Sequence, residues 1–323
     1  MKYSIIIPCF NEEHVLSETL SSVHKAMGER SDVEVMLMDN GSTDASQSIA
    51  ASFGVTVCEV TGVKISALRN IGARKAIGKY LLFLDADIVV ANNWFEQLDF
   101  YTDINNDQFT ADVVGFVDDV PGFAPWFARI WGLRASARRN KLMEIDSLPG
   151  RNLFVSKHWF DAVGGFNENL TTGEDKDFVM RLKKSGALVL SDPRLEMLHM
   201  GYERTFKEWS RKEYWRQHSH IGLIQHQGIS IRLLRFPLIC IAHLLLAIFA
   251  IISLVAGDIT SSLCMLLLSL LPSLLLSLKK PLSRFPLDRL FQFTLLYWLR
   301  FHIAGWSVLK ELREIYQLRD SEV

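Results

Sequence analysis

Over the first two hundred positions, short apolar runs alternate with segments whose apolar residues recur at helical spacing. Ser4–Ile7 predicts a strand closed by Pro8, and His14–Met27 spaces Val15, Leu16, Leu20, Val23 and Met27 as one helix face after the acidic start Asn11-Glu12-Glu13. Val33–Met38 predicts the next strand. It runs into Asp39-Asn40-Gly41-Ser42-Thr43-Asp44, a turn cluster whose Thr43 or Asp44 can cap a helix reaching Phe53, with Gly54 to close it. Strand Val55–Val60, helix Ile65–Ile77 and strand Tyr80–Leu84 follow. Beyond them lie a helix over Asn93–Tyr101, strands over Asp112–Val117 and Asn152–Val155, a helix over Phe178–Lys184, a strand at Leu188–Leu190 and a helical stretch over Thr205–Gln227. This alternation predicts an α/β domain with a Rossmann-type, mainly parallel sheet and flanking helices, spanning about residues 1–230.

The pattern changes near residue 231. Pro237–Gly257 and Ile259–Leu278 contain no Lys, Arg, Asp or Glu, and Asp258 stands between them. Each run is about 20 residues, the length that crosses the hydrocarbon core of a bilayer as a helix, so 231–323 reads as a membrane region built on a transmembrane hairpin. A buried hairpin in a large soluble core is the alternative. Arg232 and Arg235 precede the first run and Lys279, Lys280 and Arg284 follow the second, which puts both flanks, and the globular domain, on the cytoplasmic side of an inner membrane. Cutting the chain after about Ile231 is then expected to release it from membranes. Residues 287–316 mix Trp298 and Trp306 with Arg289, Arg300 and His302, which favours an interfacial amphipathic helix over a lipid-exposed span. In Pro121–Lys141, aromatics such as Trp126 and Trp131 alternate with Arg129, Arg134, Arg138 and Arg139. Such a segment suits a membrane surface or an acceptor bearing phosphate and lipid, and equally an ordinary helix packed on the sheet.

Composition narrows the partners. With 35 bases against 36 acids and no basic stripe interleaved with aromatics in the globular part, nucleic acid is not an expected partner. Cys9, Cys58, Cys240 and Cys264 show no CxxC spacing and read as reduced. Tyr3–Ile7 is too short for the apolar core of a cleaved signal, and so reads as a strand.

The candidate chemistry starts at Leu81–Val90, LLFLDADIVV, where a buried-strand pattern stops at Asp85 and Asp87. In extended backbone these two carboxylates share a face and can turn toward one hard cation that also takes phosphate oxygens. A strand capped by an Asx turn is the other reading of the pair. Three further motifs accompany it: SIIIPCFNE at Ser4–Glu12, DNGSTD at Asp39–Asp44 with ALRNIG at Ala67–Gly72, and GGFNENLTTGEDKDF at Gly164–Phe178. In this order and spacing they resemble the family 2 glycosyltransferases of GT-A fold, over about residues 3–200.

The resemblance implies an inverting, metal-dependent transfer from a nucleotide-diphospho-sugar, UDP-sugars favoured, to a lipid-linked or cell-envelope glycan acceptor. It implies that Pro8, Phe10 and Glu12 hold the nucleoside, with Asp39 and Asn40 at the base; many relatives carry an acid where Asn40 stands. Arg69 would face the diphosphate or make a surface ion pair. Asp85 would touch ribose or metal and Asp87 would be the principal ligand of Mg2+ or Mn2+. His199 matches a third metal ligand of some GT-A enzymes, although a lone loop histidine is also commonly structural. Asp175 would be the general base and Glu174 would orient the acceptor, while Asp177 belongs to the helix surface or to a supporting contact behind the site. The Gln-x-x-Arg-Trp signature of processive relatives is missing, since Lys212–Gln217 reads KEYWRQ. A single transfer is therefore expected. The other classes to weigh are a catalytically silent sugar-nucleotide-binding membrane module and a nucleotidyltransferase. The first has no need of both Asp87 and Asp175, and the second would show a basic, glycine-rich loop that SIIIPCFNEE lacks.

Overall fold

The computed structural model describes residues 1–102, 111–133, 141–217, 220–279 and 287–321. The chain divides into two compact units. Met1–Gly122, Arg138–Asn169 and Glu174–Tyr202 make the first, and Phe123–Ala137, Leu170–Gly173 and Glu203–Val323 make the second.

In the first unit the strands are β1 (Tyr3–Cys9), β2 (Val33–Asp39), β3 (Thr56–Glu59), β4 (Tyr80–Leu84), β5 (Ile88–Val89), β6 (Val113–Asp119), β7 (Met143–Glu144), β8 (Asn152–Ser156) and β9 (Val189–His199). Among the described residues they form one nine-stranded sheet of order β3-β2-β1-β4-β8-β6-β9-β5, with β7 paired to β9. The order β3-β2-β1-β4 is wholly parallel, as the strand and helix alternation predicts. Beyond β4 the sheet is mixed: β8 is antiparallel to β4 and β6, and β9 is parallel to β6. β1, β2, β3 and β4 follow one another through helices, the connection that parallel strands require, whereas β5, β6 and β7 intervene between β4 and β8.

The pleat sorts β1 between two layers. Tyr3, Ile5 and Ile7 pack with Leu16, Leu20 and Val23 of α1 (Leu16–Met27) and with Trp94 and Leu98 of α4 (Trp94–Thr102). Ile6 faces the opposite side, with Leu68 and Ala73 of α3 (Ile65–Lys75) and Phe178 and Leu182 of α7 (Glu174–Lys184). Helix α3 lies close upon the sheet at Gly72, where a Cβ would stand 2.5 Å from Ile6 Cγ2. That contact accounts for the glycine in ALRNIG. In this unit the expected elements recur with ends shifted by four residues or fewer, except that β9 runs to His199 instead of stopping at Leu190, because it pairs with β6 and then β5 along its length. Helix α2 (Ser46–Ser52) begins where Asp44 Oδ1 accepts the Ser46 N–H at 3.0 Å, so Asp44 secures that start as expected.

The second unit is helical. Helix α5 (Trp126–Gly132) covers part of the aromatic and basic tract; Arg134, Arg138 and Arg139 lie outside the described residues. The stretch predicted over Thr205–Gln227 resolves into α8 (Phe206–Arg216), capped by the Thr205 hydroxyl on the Glu208 N–H, and α9 (His220–Gln227). Helix α10 (Ile231–Val255) starts six residues before the expected Pro237, because Ser230 caps it at Leu233. A tight turn through Gly257 (φ +82°) leads to α11 (Ile259–Leu278), whose cap is the Asp258 carboxylate on the Ser261 N–H at 3.0 Å. Leu233–Val255 and Ile259–Leu278 are long and apolar enough to cross a membrane, with mean hydropathy 2.9 and 2.1. Of the flanking bases, Lys280 and Arg284 fall outside the described residues.

The last helix, α12 (Leu287–Ser321), is longer than the apolar pattern suggests. Its first half packs on the hairpin, where Trp298 Nε1 donates to Ser269 Oγ at 2.8 Å. It also packs on α5, α8 and α9: Arg300 pairs with fully buried Glu213 at 3.1 Å, and the Glu311 carboxylate accepts the Ile221 and Gly222 N–H groups at 3.0 and 2.8 Å. Glu213 also binds Arg216 at 2.6 Å and accepts from Trp131 Nε1 at 2.9 Å.

Candidate active site

The carboxyl ends of β1, β2 and β4 open onto a cleft of about 210 Å3 lined by Pro8, Cys9, Phe10, Glu12, Asn40, Ile65, Leu68 and Asp85–Asp87. Ligands of open α/β sheets bind at this edge, outside the ends of the strands. Phe10 stands 56 % exposed at the cleft. Burial pushes the Cys9 thiol up to about 11, so it lines the cleft as a neutral group.

Two of the motifs hold each other. Asn11 adopts φ +57°, a left-handed conformation that asparagine tolerates. Its N–H donates to Ser42 Oγ at 2.9 Å and its Oδ1 accepts the Thr43 N–H at 2.8 Å. The Glu12 N–H donates to Ser46 Oγ and the Glu13 N–H to Asp44. Asp39 lies beneath this brace, fully buried and outside the cleft lining. Its carboxylate accepts from the Gly41 and Ser42 N–H groups, the Ser42 hydroxyl and Gln47 Nε2. The geometry gives Asp39 the turn-holding role. Asn40 does line the cleft, with its amide bonded both ways to the Val63 backbone at 3.0 and 3.2 Å.

Arg69 is neither on the surface nor facing the cleft. It is 2 % exposed, donating through Nη2 to Asp85 Oδ1 and through Nη1 to Glu174 Oε1, both at 2.8 Å. Gly150 packs on the guanidinium, where a Cβ would meet Nη1 at 2.9 Å. Burial raises the carboxyl pKa values of Asp85 and Glu174 above the ordinary range, with Arg69 opposing in each case and Asp87 and Asp175 adding to it. The neighbouring Asn70 explains the rest of ALRNIG: its Nδ2 donates to the Phe166 carbonyl and Glu168, and its Oδ1 accepts the Phe166 N–H, tying α3 to the GGFNEN segment. Glu174 is thus committed to Arg69. Asp175, one residue on and partly exposed, accepts the Gly150 N–H at 3.2 Å and the Lys176 N–H at 2.7 Å. Asp177 is buried rather than on the helix surface, and pairs with Arg181 at 2.8 Å.

His199 reaches Asp87, with Nε2 at 3.2 Å from Oδ2. Strand pairing of Ile88 with His199 and the bond from the Met200 N–H to the Asp87 carbonyl at 2.8 Å bring the two together. Gly201 lies so close over the Asp87 carboxylate that a Cβ there would collide with it. Two carboxylates and an imidazole are donors that suit Mn2+ or Mg2+, and of the three the strand arrangement brings Asp87 and His199 together. Among the described residues no group of three such side chains stands preformed around one point, so such a cation would draw its remaining ligands from diphosphate oxygens and water.

Sequence reasoning missed Asp118 and Arg151. Arg151 Nη2 binds both Asp118 oxygens, at 2.9 and 2.8 Å, and Asp118 Oδ2 lies 3.9 Å from His199 Nδ1. Burial alone would raise the Asp118 carboxyl, but Arg151 and His199 outweigh it and hold it below the usual range. A signal existed: VVGFVDD is a second apolar run ending in acids, like LLFLDAD.

Comparison with known proteins bears on the family and the fold. The sequence model described as "Glycosyl transferase family 2" matches residues 4–161. The chain is 27 % identical over 199 residues to the glycosyltransferase AglE of Haloferax volcanii, covering 57 % of this chain and 62 % of that protein. It is 32 % identical over 201 residues to the minor teichoic acid biosynthesis protein GgaA of Bacillus subtilis, covering 58 % of this chain and 45 % of that protein. The chain therefore spans less than two thirds of the length of either relative. Among solved structures, a mannosyltransferase of Pyrobaculum calidifontis in complex with GDP-Man and Mn2+ superposes with TM-score 0.60 over 94 % of this chain and 86 % of that one, at 15 % identity.

Proposed function

The chain belongs to the family 2 glycosyltransferases of GT-A fold, and from that premise we propose that it moves one sugar from a nucleotide-diphospho-sugar to a lipid-linked or cell-envelope glycan acceptor. The observation that carries the proposal is the meeting of Asp87 and His199 beside a cleft bounded by Pro8–Glu12 and Asp85–Asp87. Asp175 takes the proton of the acceptor hydroxyl. The acceptor oxygen attacks the anomeric carbon from the face opposite the diphosphate, the carbon–oxygen bond to phosphate breaks, and the nucleoside diphosphate leaves with the electron pair. Configuration inverts, as a single displacement requires. Asp87, His199 and Asp85 would hold Mg2+ or Mn2+, which when bound neutralises charge on the departing diphosphate. Arg69 keeps Asp85 and Glu174 in fixed relation.

The acceptor class is supported by the teichoic acid relative and by the two membrane-length helices. Arg235 near the start of α10 and Lys279 after α11 favour a cytoplasmic face for the rest of the chain at an inner membrane. The full chain is expected to stay in the pellet when membranes are washed with alkaline carbonate, and its recovery in the supernatant would overturn a spanning hairpin.

The test of function is a panel of UDP-, GDP- and other nucleotide sugars offered with manganese to the full chain in detergent. Release of a nucleoside diphosphate from one donor, abolished by excess chelator, is the expected result. Binding of a donor without turnover would leave the silent sugar-nucleotide module, and release of pyrophosphate would indicate a nucleotidyltransferase.

A further inference from the structure

We propose that Asp118, gripped by Arg151, is a positioning residue that sets the tautomer and orientation of His199, so that the Nε2 lone pair faces Asp87 and the cation site. The inference rests on the reading of His199 as a metal ligand given above.

A neutral imidazole has one N–H, and the two ring nitrogens of His199 each face a carboxylate: Nε2 is 3.2 Å from Asp87 and Nδ1 is 3.9 Å from Asp118. If the hydrogen sat on Nε2 it would point at Asp87, and the ring would have no lone pair to offer a cation there. Placing it on Nδ1, toward Asp118, leaves Nε2 free to coordinate. Coordination through Nε2 requires Nδ1–H, and once a cation offsets the nearer Asp87 charge, the negative charge of Asp118 favours that tautomer. A carboxylate behind the ligating imidazole is a general device for fixing the tautomer and raising ligand basicity.

The fold holds Asp118 for this task. Strand β6 is in parallel register with β9 through Phe116, then slips before Asp118 pairs with Met197. The extra residues lie in β9, where Asp192 and Met197 stand five apart opposite Phe116 and Asp118, and beyond this bulge His199 of β9 lies against Asp118. Arg151 then fixes the carboxylate by bonding both its oxygens, while the Arg151 carbonyl accepts the Asp85 N–H at 3.0 Å. One residue thus ties the backbone of the Asp85–Asp87 turn to the carboxylate behind His199.

The experiment is a double-mutant cycle on the full chain in detergent, read as Mn2+ affinity by electron paramagnetic resonance with no donor present. Asp118→Asn should weaken Mn2+ binding by about 10- to 100-fold, the usual range for loss of such a partner. His199→Ala should weaken it at least as much, and Asp118→Asn should add nothing once His199 is gone. Because Asp118→Asn leaves the Arg151 charge uncompensated, Asp118→Asn with Arg151→Met is the companion that removes both charges, and it should show the same loss of affinity. Where the single variant does not fold, the companion is read in its place. Unchanged affinity in the Asp118 variants beside a weakened His199→Ala would overturn the inference, as would an equal loss from Asp118→Asn in both backgrounds. Unchanged affinity in His199→Ala would overturn the metal-ligand reading itself.

Discussion

Asp175→Asn is expected to lower sugar transfer by about 10²- to 10⁴-fold, the usual worth of general base catalysis, while donor affinity persists. The substitution keeps an oxygen for the Gly150 N–H that Asp175 accepts at 3.2 Å, so the local backbone need not move. Glu174→Gln tests the neighbouring residue differently. Glu174 is bound to buried Arg69, and a neutral amide there leaves that guanidinium short of countercharge, so a lower unfolding temperature should accompany any loss of rate. The measurement is transfer rate beside donor affinity and melting temperature for each variant. Near-normal transfer by Asp175→Asn with a strong loss in a stably folded Glu174→Gln would exchange the two roles, and loss of donor affinity in both would make the pair part of the donor site.

The second large effect is at Asp87. Asp87→Asn should remove most donor-dependent turnover and weaken manganese-dependent nucleotide binding, because it deletes the charge that meets His199 at the cleft. Asparagine preserves shape beneath Gly201, whose backbone leaves no room for a larger group, so the fold should remain. Isothermal titration of nucleoside diphosphate with and without Mn2+ gives the readout. Wild-type turnover in excess chelator would overturn the role assigned to Asp87.

Local pattern made the parallel half of the sheet legible. β1, β2 and β4 are apolar runs that run into proline or acid, and each appears within two residues of its expected end. The same runs located the cleft, because Asp85 and Asp87 follow β4 and the Pro8–Glu12 loop follows the strand beside it. What stayed hidden were contacts across long sequence separations. Arg69 is 105 positions from Glu174, and nothing in ALRNIG shows that its guanidinium turns inward rather than toward a diphosphate. Asp39 illustrates the converse: a turn cluster announces its own hydrogen bonds, and here they use the carboxylate that resemblance had assigned to the nucleobase. The extension of β9 to His199 was invisible because Pro193 interrupts the apolar pattern, while the pairing that carries the strand on lies in β5 and β6.

The ion pair between Arg300 and Glu213 bears on whether this protein can be cut into parts. Helices α5 and α8 bury Phe127, Trp131 and Trp209, and α12, the final helix of the chain, is packed over them. During synthesis Phe127 and Trp131 emerge more than 150 residues before α12, and Trp209 more than 70 before it, so they stay uncovered until α12 follows. A cut after Ile231 therefore removes more than a hairpin. Instead of liberating a soluble enzyme, as the apolar pattern alone suggests, it strips Glu213 of Arg300 and exposes three large aromatics, and the shortened chain should be recovered as aggregate. The helical hairpin is an integral layer of its unit, and a more soluble version would have to be built by replacing the exposed apolar residues of α10 and α11 while keeping all three long helices.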